Sequence, residues 1–341
     1  MSTFPGELVD LTIDFAHSHQ RTLAACGLVC RAWLPRSRLY LFSSVYLIRD
    51  RRKDTVSRFM QLIESPLVTF LPYIEEVKLH HRSSYGAPVF SATDILTALS
   101  DSGLSPVRLS VDCRFDSLKF PQTFAVSLTH LRLDLYNEVP LEDLVDYVCS
   151  FPLLESLSLG LQSETYISSS QPRTTTLPRN LHTLDVSDPG ILEWLLSVDP
   201  QISTLTLREV EVWPLVNAYL VDRAAGALRS LTLDSCYIDN SALGRPDLSH
   251  LDGLRHLDLE QERYQMAGSL SWVISSICEA PACRTLETIQ LGMYNAKRYT
   301  NCAQMKTAAE SSWSSLRSSI LRDRTTSELR DSMPFALRAG S

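Results

Sequence analysis

The chain has 341 residues, 44% of them hydrophobic and 21% charged, which is enough for a sizeable core and for more than one domain. With 39 acidic against 32 basic side chains the formal charge is -7, so no whole-chain field gathers nucleic acid. No apolar run approaches a membrane span, and residues 1–20 lack the basic start and unbroken apolar core of a signal peptide. The expectation is an intracellular protein of the cytoplasm and/or nucleus, with no membrane contact. Its eight cysteines (Cys26, Cys30, Cys113, Cys149, Cys236, Cys278, Cys283 and Cys302) form no C-x-x-C and read as reduced core residues.

Residues 4–42 carry the densest apolar signal at helical spacing. Leu8, Leu11 and Phe15, with Val9 and Ile13, cover a broad face of a short helix opened by Pro5. A second helix holds Leu23, Cys26, Leu28 and Val29, carries Arg31 and Trp33 in its last turn, and is expected to end at Pro35. So short a fragment cannot cover that much apolar surface by itself.

The opening Pro5-Gly6-Glu7-Leu8 and the close Val29-Cys30-Arg31-Ala32-Trp33, with Ile13, Leu23 and Leu28 between them, resemble the F-box. The extended match, through Ala24-Ala25-Cys26 and Ala32-Trp33-Leu34-Pro35, is similar to the large F-box set of mushroom-forming fungi. Phe4 stands where the family usually has Leu, and the turn between helices is His17-Ser18-His19-Gln20 instead of an Asp-rich one. The resemblance implies binding to a Skp adaptor through Phe4, Pro5, Glu7, Leu8, Ile13, Leu23, Leu28, Val29 and Trp33.

A β-rich run at residues 45–48 follows, then the basic cluster Arg49, Arg51, Arg52 and Lys53, which reads as a solvated turn because no aromatic residue interleaves it. Val56, Phe59, Met60 and Ile63 share one face of a further helix, closed by Ser65-Pro66.

From Tyr73 onward a unit L-x-x-L-x-L recurs, with Ile or Val allowed at each apolar place. Its starts are Ile74, Leu104, Leu128, Leu154, Leu181, Ile202, Leu228, Leu254 and Leu286. The mean interval of about 26 residues lies within the roughly 20–29 of leucine-rich repeats. Residues two apart on a strand point the same way, so each unit offers two inward side chains, and its first Leu covers the turn into the strand. The resemblance is degenerate: the Asn or Cys of the ninth place appears only as Cys236, with Arg82, Tyr136, Gln162 and Glu262 elsewhere. An ordinary α/β domain with Leu-rich strands is the competing description.

Between strands, helices are expected at Ser91 to Leu99, opened by a capping box to Asp94, and at Leu141, Leu144, Val145 and Val148. Others are expected at 191–196, with Asp188-Pro189 as its cap, at 214–221 and at 270–277. Residues 171–176 read as a loop. A helix over 303–321, with Met305, Ala309, Trp313, Leu316 and Ile320 on one side, is expected to cap the open end.

The fold class read from these signals is α/β: a short helical F-box at 1–45, a linking strand and helix at 46–72, and an irregular leucine-rich-repeat solenoid at 73–300. The solenoid has parallel strands on its concave side and helices and loops on its convex side. A capping helix at 301–322 and a flexible tail at 323–341 complete it.

The motifs of nucleotide-binding loops, serine hydrolases and zinc proteases are absent, and the pairs His17, His19 and His80, His81 have no nearby Cys to complete a metal set. No catalytic residue, metal or cofactor is expected. The implied function is substrate recognition within a Skp-cullin-F-box ubiquitin ligase, in which the F-box grips the Skp adaptor, and through it the cullin, while the repeats hold an unknown protein target. Its contribution is proximity, not chemistry. A scaffold that uses the F-box outside a ligase is the alternative, and an enzyme with an unrecognised site a remote third. On the strand face, Lys78, Arg108 and Arg132 of the early repeats and Asp185, Asp234, Asp258 and Glu260 of the later ones are the candidate target-binding residues, with a change of sign along the groove.

Overall fold

A computed structural model describes residues 5–49, 54–65, 68–81, 91–114, 118–136, 139–161, 167–168, 177–198, 201–211, 213–238, 245–262, 272, 285–294 and 337–338. The chain divides into two units. One comprises residues 1–138, 150–154 and 162–165, the other 139–149, 155–161 and 166–341.

In the first unit, α1 (Gly6–Phe15) begins where Pro5 O accepts from the N–H groups of Leu8 and Val9 at 3.1 and 3.3 Å. The second helix, α2 (Gln20–Val29), stops earlier than expected because Cys30 is extended, with φ -163° and ψ 171°. Pro35 does not end that helix but opens a third, α3 (Leu34–Phe42), where the missing N–H has no intrahelical partner to lose. Val9, Ile13, Ala16, Leu23 and Cys26 form a small core, with Trp33, Tyr40 and Leu41 packed against it.

After α3 come β1 (Ser44–Arg49), α4 (Val56–Ile63), β2 (Glu76–His81), α5 (Ala92–Asp101), β3 (Arg108–Cys113), α6 (Gln122–Ala125) and β4 (His130–Leu135). The four strands lie in the order β1-β2-β3-β4, all parallel. Parallel neighbours need crossovers, and α4, α5 and α6 supply them. The α5 crossover is capped as the sequence suggests: Ser91 Oγ accepts from the Asp94 N–H at 3.1 Å, and Asp94 Oδ2 accepts from the Ser91 N–H at 2.7 Å.

The second unit comprises β5 (Val139–Pro140), α7 (Leu141–Cys149), β6 (Ser156–Leu161), β7 (Ile167–Ser168), β8 (Thr183–Val186), α8 (Ile191–Ser197), β9 (Thr204–Arg208), α9 (Pro214–Tyr219), β10 (Ser230–Asp234), β11 (His256–Glu262), β12 (Thr288–Tyr294) and β13 (Leu337–Arg338). Strands β6, β8, β9, β10, β11 and β12 are parallel neighbours in that order, extended by β13, while β5 and β7 pair separately. Neither unit's run closes on itself, so the architecture is mixed α/β with an open parallel sheet.

Helix α7 buries Leu141, Leu144, Val145 and Val148, and α8 buries Ile191, Leu192, Trp194 and Leu195. Pro189 lies in a turn ahead of α8 instead of at its first position, where Asp188 Oδ1 accepts from the Gly190 N–H at 2.7 Å. A single π-turn, Leu220–Ala224, continues α9. The helices expected at 270–277 (except buried Trp272) and 303–321, the loop at 171–176, and the tail except β13 lie outside the described residues.

All nine predicted unit starts are buried, and a strand opens two residues after eight of them. Leu104 is the exception. There β3 opens four residues on, the half-exposed Val107 occupies the entry place, and Leu109 and Val111 pair with Val77 and Leu79 as the inward residues. Because Val107, Leu109 and Val111 alternate at the strand period, the sequence alone admits both registers.

Each strand entry is tied to the one before it. In the first unit Ser43 O accepts from the N–H groups of Glu75 and Glu76, Glu75 O from Val107 and Arg108, and Val107 O from Thr129 and His130. In the second the acceptors are Glu155, His182, Ser203, Arg229 and Arg255, each bridged by two consecutive N–H groups of the next entry. Behind them the inward residues stack, Leu205 against Leu231 and Leu231 against Leu257, none more than 1% exposed.

A fully buried Leu contributes about 1.5–3 kcal/mol. Leu231→Ala and Leu257→Ala are each expected to cost about 2–5 kcal/mol in denaturant titration, because the parallel neighbours cannot move in to fill the space. A thermal midpoint within about a degree of the parent for both variants would contradict this packing.

Candidate functional site

Two surfaces gather the residues singled out from the sequence. The first is the pair α1 and α2. Val9 and Ile13 of α1 and Leu23 and Cys26 of α2 turn into their own small core. Leu8, Leu11 and Phe15, at helical spacings of three and four, turn out instead, as do Leu28 and Val29 at the end of α2. Phe15 is 89% exposed and Leu28 88%. Pro5 and Glu7 are exposed, Trp33 is half-buried against the core, and Phe4 lies outside the described residues. The F-box-like residues therefore divide into an internal set (Ile13, Leu23, Trp33) and an external set (Pro5, Glu7, Leu8, Leu28, Val29).

A polar clamp holds this hairpin. Arg36 of α3 donates from Nε and a terminal nitrogen to the two Asp14 carboxylate oxygens at 2.6 and 2.7 Å, and the Tyr40 hydroxyl donates to Asp14 Oδ1 at 2.9 Å. The Arg36 hydrogen bond, aided by that of Tyr40, holds the Asp14 carboxyl below its ordinary range, and the same contact raises Arg36. Nothing in the sequence pairs residues 22 positions apart, so the clamp has no sequence signal.

The second surface is the outward face of the strands. In the first unit the registers align Ser44, Glu76, Arg108 and His130 in one row. Tyr46, Lys78, Ser110 and Arg132 form the next, and Ile48, His80, Asp112 and Asp134 the third. Lys78 pairs with Glu76 at 3.2 Å, Arg132 with Asp134 at 2.8 Å, and Arg108 with Glu75 at 3.4 Å, while His80 Nδ1 lies against Asp112. Every cation proposed for binding here thus stands beside a carboxylate, and Arg108 lies one row away from Lys78 and Arg132.

In the second unit the first row is Ser156, Thr183, Thr204, Ser230, His256 and Thr288, a hydroxyl ladder interrupted once. The next is Ser158, Asp185, Thr206, Thr232, Asp258 and Gln290, and beyond it stand Arg208, Asp234 and Glu260. Arg208 is bonded to Asp185, whose Oδ2 also accepts from Ser158 Oγ at 3.1 Å. Burial, then the charges of Glu260 and Asp234, pushes the Asp258 carboxyl up to about 6. The hydroxyl ladder has a signal in the sequence: Ser or Thr stands directly before the first inward Leu or Ile of these strands, except at His256.

Cys236, the one residue that matched the repeat's ninth place, is buried, its thiol donates to Leu207 O at 3.2 Å, and burial pushes it up to about 12. Cys26 and Cys113 are also buried and Cys149 half-buried, but Cys30 is exposed, unlike the core cysteine expected there. Among the described residues, no group of three or more His, Cys, Asp or Glu is placed to hold a metal ion, and no helix is long and apolar enough to cross a membrane. No protein-family model and no curated protein matches the chain.

The clamp sets a pH dependence. With the folded carboxyl of Asp14 below its ordinary value of 3.8, its contribution is complete above that value and is lost as pH falls through the folded one. Asp14→Asn should therefore lower the thermal midpoint at neutral pH, with the difference from the parent shrinking toward about pH 3. An equal difference at both pH values would contradict the clamp.

Proposed function

We propose that the chain is the substrate-recognition subunit of a Skp-cullin-F-box ubiquitin ligase, with residues 1–45 as an F-box and the strand-bearing region as an irregular leucine-rich-repeat solenoid. The observation that carries this reading is the outward apolar set Leu8, Leu11, Phe15, Leu28 and Val29. It sits on the two helices whose ends carry the Pro-x-Glu-Leu and Val-Cys-Arg-x-Trp patterns. Large apolar side chains gathered on one small hairpin favour a partner that covers them. In this reading that partner is the Skp adaptor, which brings the cullin. The face around Asp234, Asp258 and Glu260 takes part of a protein target. The subunit contributes by holding the target near the charged conjugating enzyme, raising its effective concentration.

Co-purification tests the reading. The parent protein should bring down a Skp adaptor together with a cullin. Replacing both Leu8 and Leu28 by Ala should reduce adaptor capture at least about tenfold while leaving the far-ultraviolet spectrum unchanged, since each buried Leu is worth about 1.5–3 kcal/mol. These two are better probes than Trp33, whose loss would also disturb the small core. Adaptor without cullin would favour a scaffold outside the ligase. No adaptor with the parent, or full capture by the folded double variant, would overturn the assignment. Reversing Asp234, Asp258 and Glu260 to Lys should strip targets from the same pulldown while adaptor capture persists, and an unchanged target list would remove that face from recognition.

A further inference from the structure

Strands β10, β11 and β12 bring three carboxyls to neighbouring places on one face. Asp234 of β10 is the register partner of Glu260 of β11, and Asp258 stands two residues before Glu260 on the same face. The cation nearest in register, Arg208 of β9, is opposite Asp234, but its guanidinium is bonded to Asp185. Asp234 Oδ1 accepts from the Ser235 hydroxyl at 3.0 Å.

At Asp258 the relief is partial. Its Oδ1 is shut off from solvent and has no hydrogen-bond partner among the described residues. Facing it from β10 is Thr232, flanked by Ser230 and Asp234, and from β12 Gln290, flanked by Thr288. Its own strand offers His256 and Glu260, and the His256 ring is hydrogen-bonded to the Thr288 hydroxyl at 2.7 Å. The Leu259 backbone N–H gives this carboxyl one hydrogen bond, but a carboxylate in that setting loses hydration at Oδ1 without gaining a donor there and meets two like charges, whereas a neutral carboxylic acid bears neither cost.

We propose that Asp234, Asp258 and Glu260 form a proton-binding cluster in which the Asp258 carboxyl takes up the proton in mild acid, so that this face's charge and its strands' stability vary with pH just below neutrality. The proton belongs to the cluster, and Asp258 is its site because its Oδ1 is shut off from solvent with no donor among the described residues. A carboxyl held above its unfolded value binds its proton more tightly in the folded state. Stability is therefore gained as pH falls from neutral and lost as pH rises through about 6, above which the cost is constant. This is a property of the unbound chain and does not rest on the proposed function.

Two measurements on the full chain test it. With aspartate labelled at the side-chain carboxyl carbon, one resonance should titrate near about pH 6 and should vanish in Asp258→Asn. If every aspartate instead titrates below about pH 4.5, the proposal is overturned. The thermal midpoint of the parent should be about one to two degrees higher at about pH 5.5 than at about pH 7.5, and Asp258→Asn should remove most of that difference. His256→Gln serves as the control for the neighbouring imidazole and should keep the difference. An unchanged pH dependence in Asp258→Asn, or its loss in His256→Gln, overturns the proposal. Should Asp258→Asn fail to fold, the carboxyl titration of the parent alone decides.

Discussion

A single backbone oxygen at each strand entry sets the register on which the open sheet depends. When Glu75 O accepts from both Val107 and Arg108, or Arg229 O from both Arg255 and His256, the incoming strand has no freedom to slip by one residue. A slip of one would turn every inward Leu to solvent and every Asp, Ser and Thr into the core. The same tie aligns Leu205, Leu231 and Leu257 on one side and Asp234 with Glu260 on the other. Core and surface rows are therefore consequences of one repeated contact, and the crossover helices serve chiefly to cover the inward residues. Parallel strands have no tight turn to fix pairing, which is why the entry carbonyl matters here more than it would in a hairpin.

The N-terminal hairpin follows a different logic. Its core of Val9, Ile13, Ala16, Leu23 and Cys26 is small, and α3 is held against α1 by the Arg36 to Asp14 fork with Tyr40 closing it. A bidentate guanidinium fixes orientation as well as distance. With α3 and Trp33 occupying the inner side, Leu8, Leu11, Phe15, Leu28 and Val29 have nothing to pack on within the hairpin. Their exposure is the physical ground for the partner proposed above.

The parallel strands were legible because burial imposes a spacing that composition cannot hide. Ile74 and eight later aliphatics mark turns that must be covered, and a strand follows each of them. Where two registers satisfy the same alternation, as at Val107, Leu109 and Val111, the sequence does not choose, and Arg108 was assigned to a row that Ser110 occupies. Pro35 reads as a stop in the sequence because Pro both ends and opens helices, and only the extended Cys30 decides which. Contacts between distant positions, such as Asp14 with Arg36 or Glu75 with Arg108, leave no periodic trace. The positive end expected of the strand face consequently appears as a set of ion pairs. The negative end rests on Asp234, Asp258 and Glu260, with Arg208 opposite Asp234 but bonded to Asp185.

The most direct measurement of the central claim is amide hydrogen exchange of the chain alone and of a mixture with a purified Skp adaptor. Binding across the outward apolar set predicts slowed exchange in Gly6–Phe15 and Gln20–Val29, with the strands from Ser156 to Glu262 unchanged. Exchange in both helices indifferent to the adaptor, with or without protection elsewhere, would contradict the account.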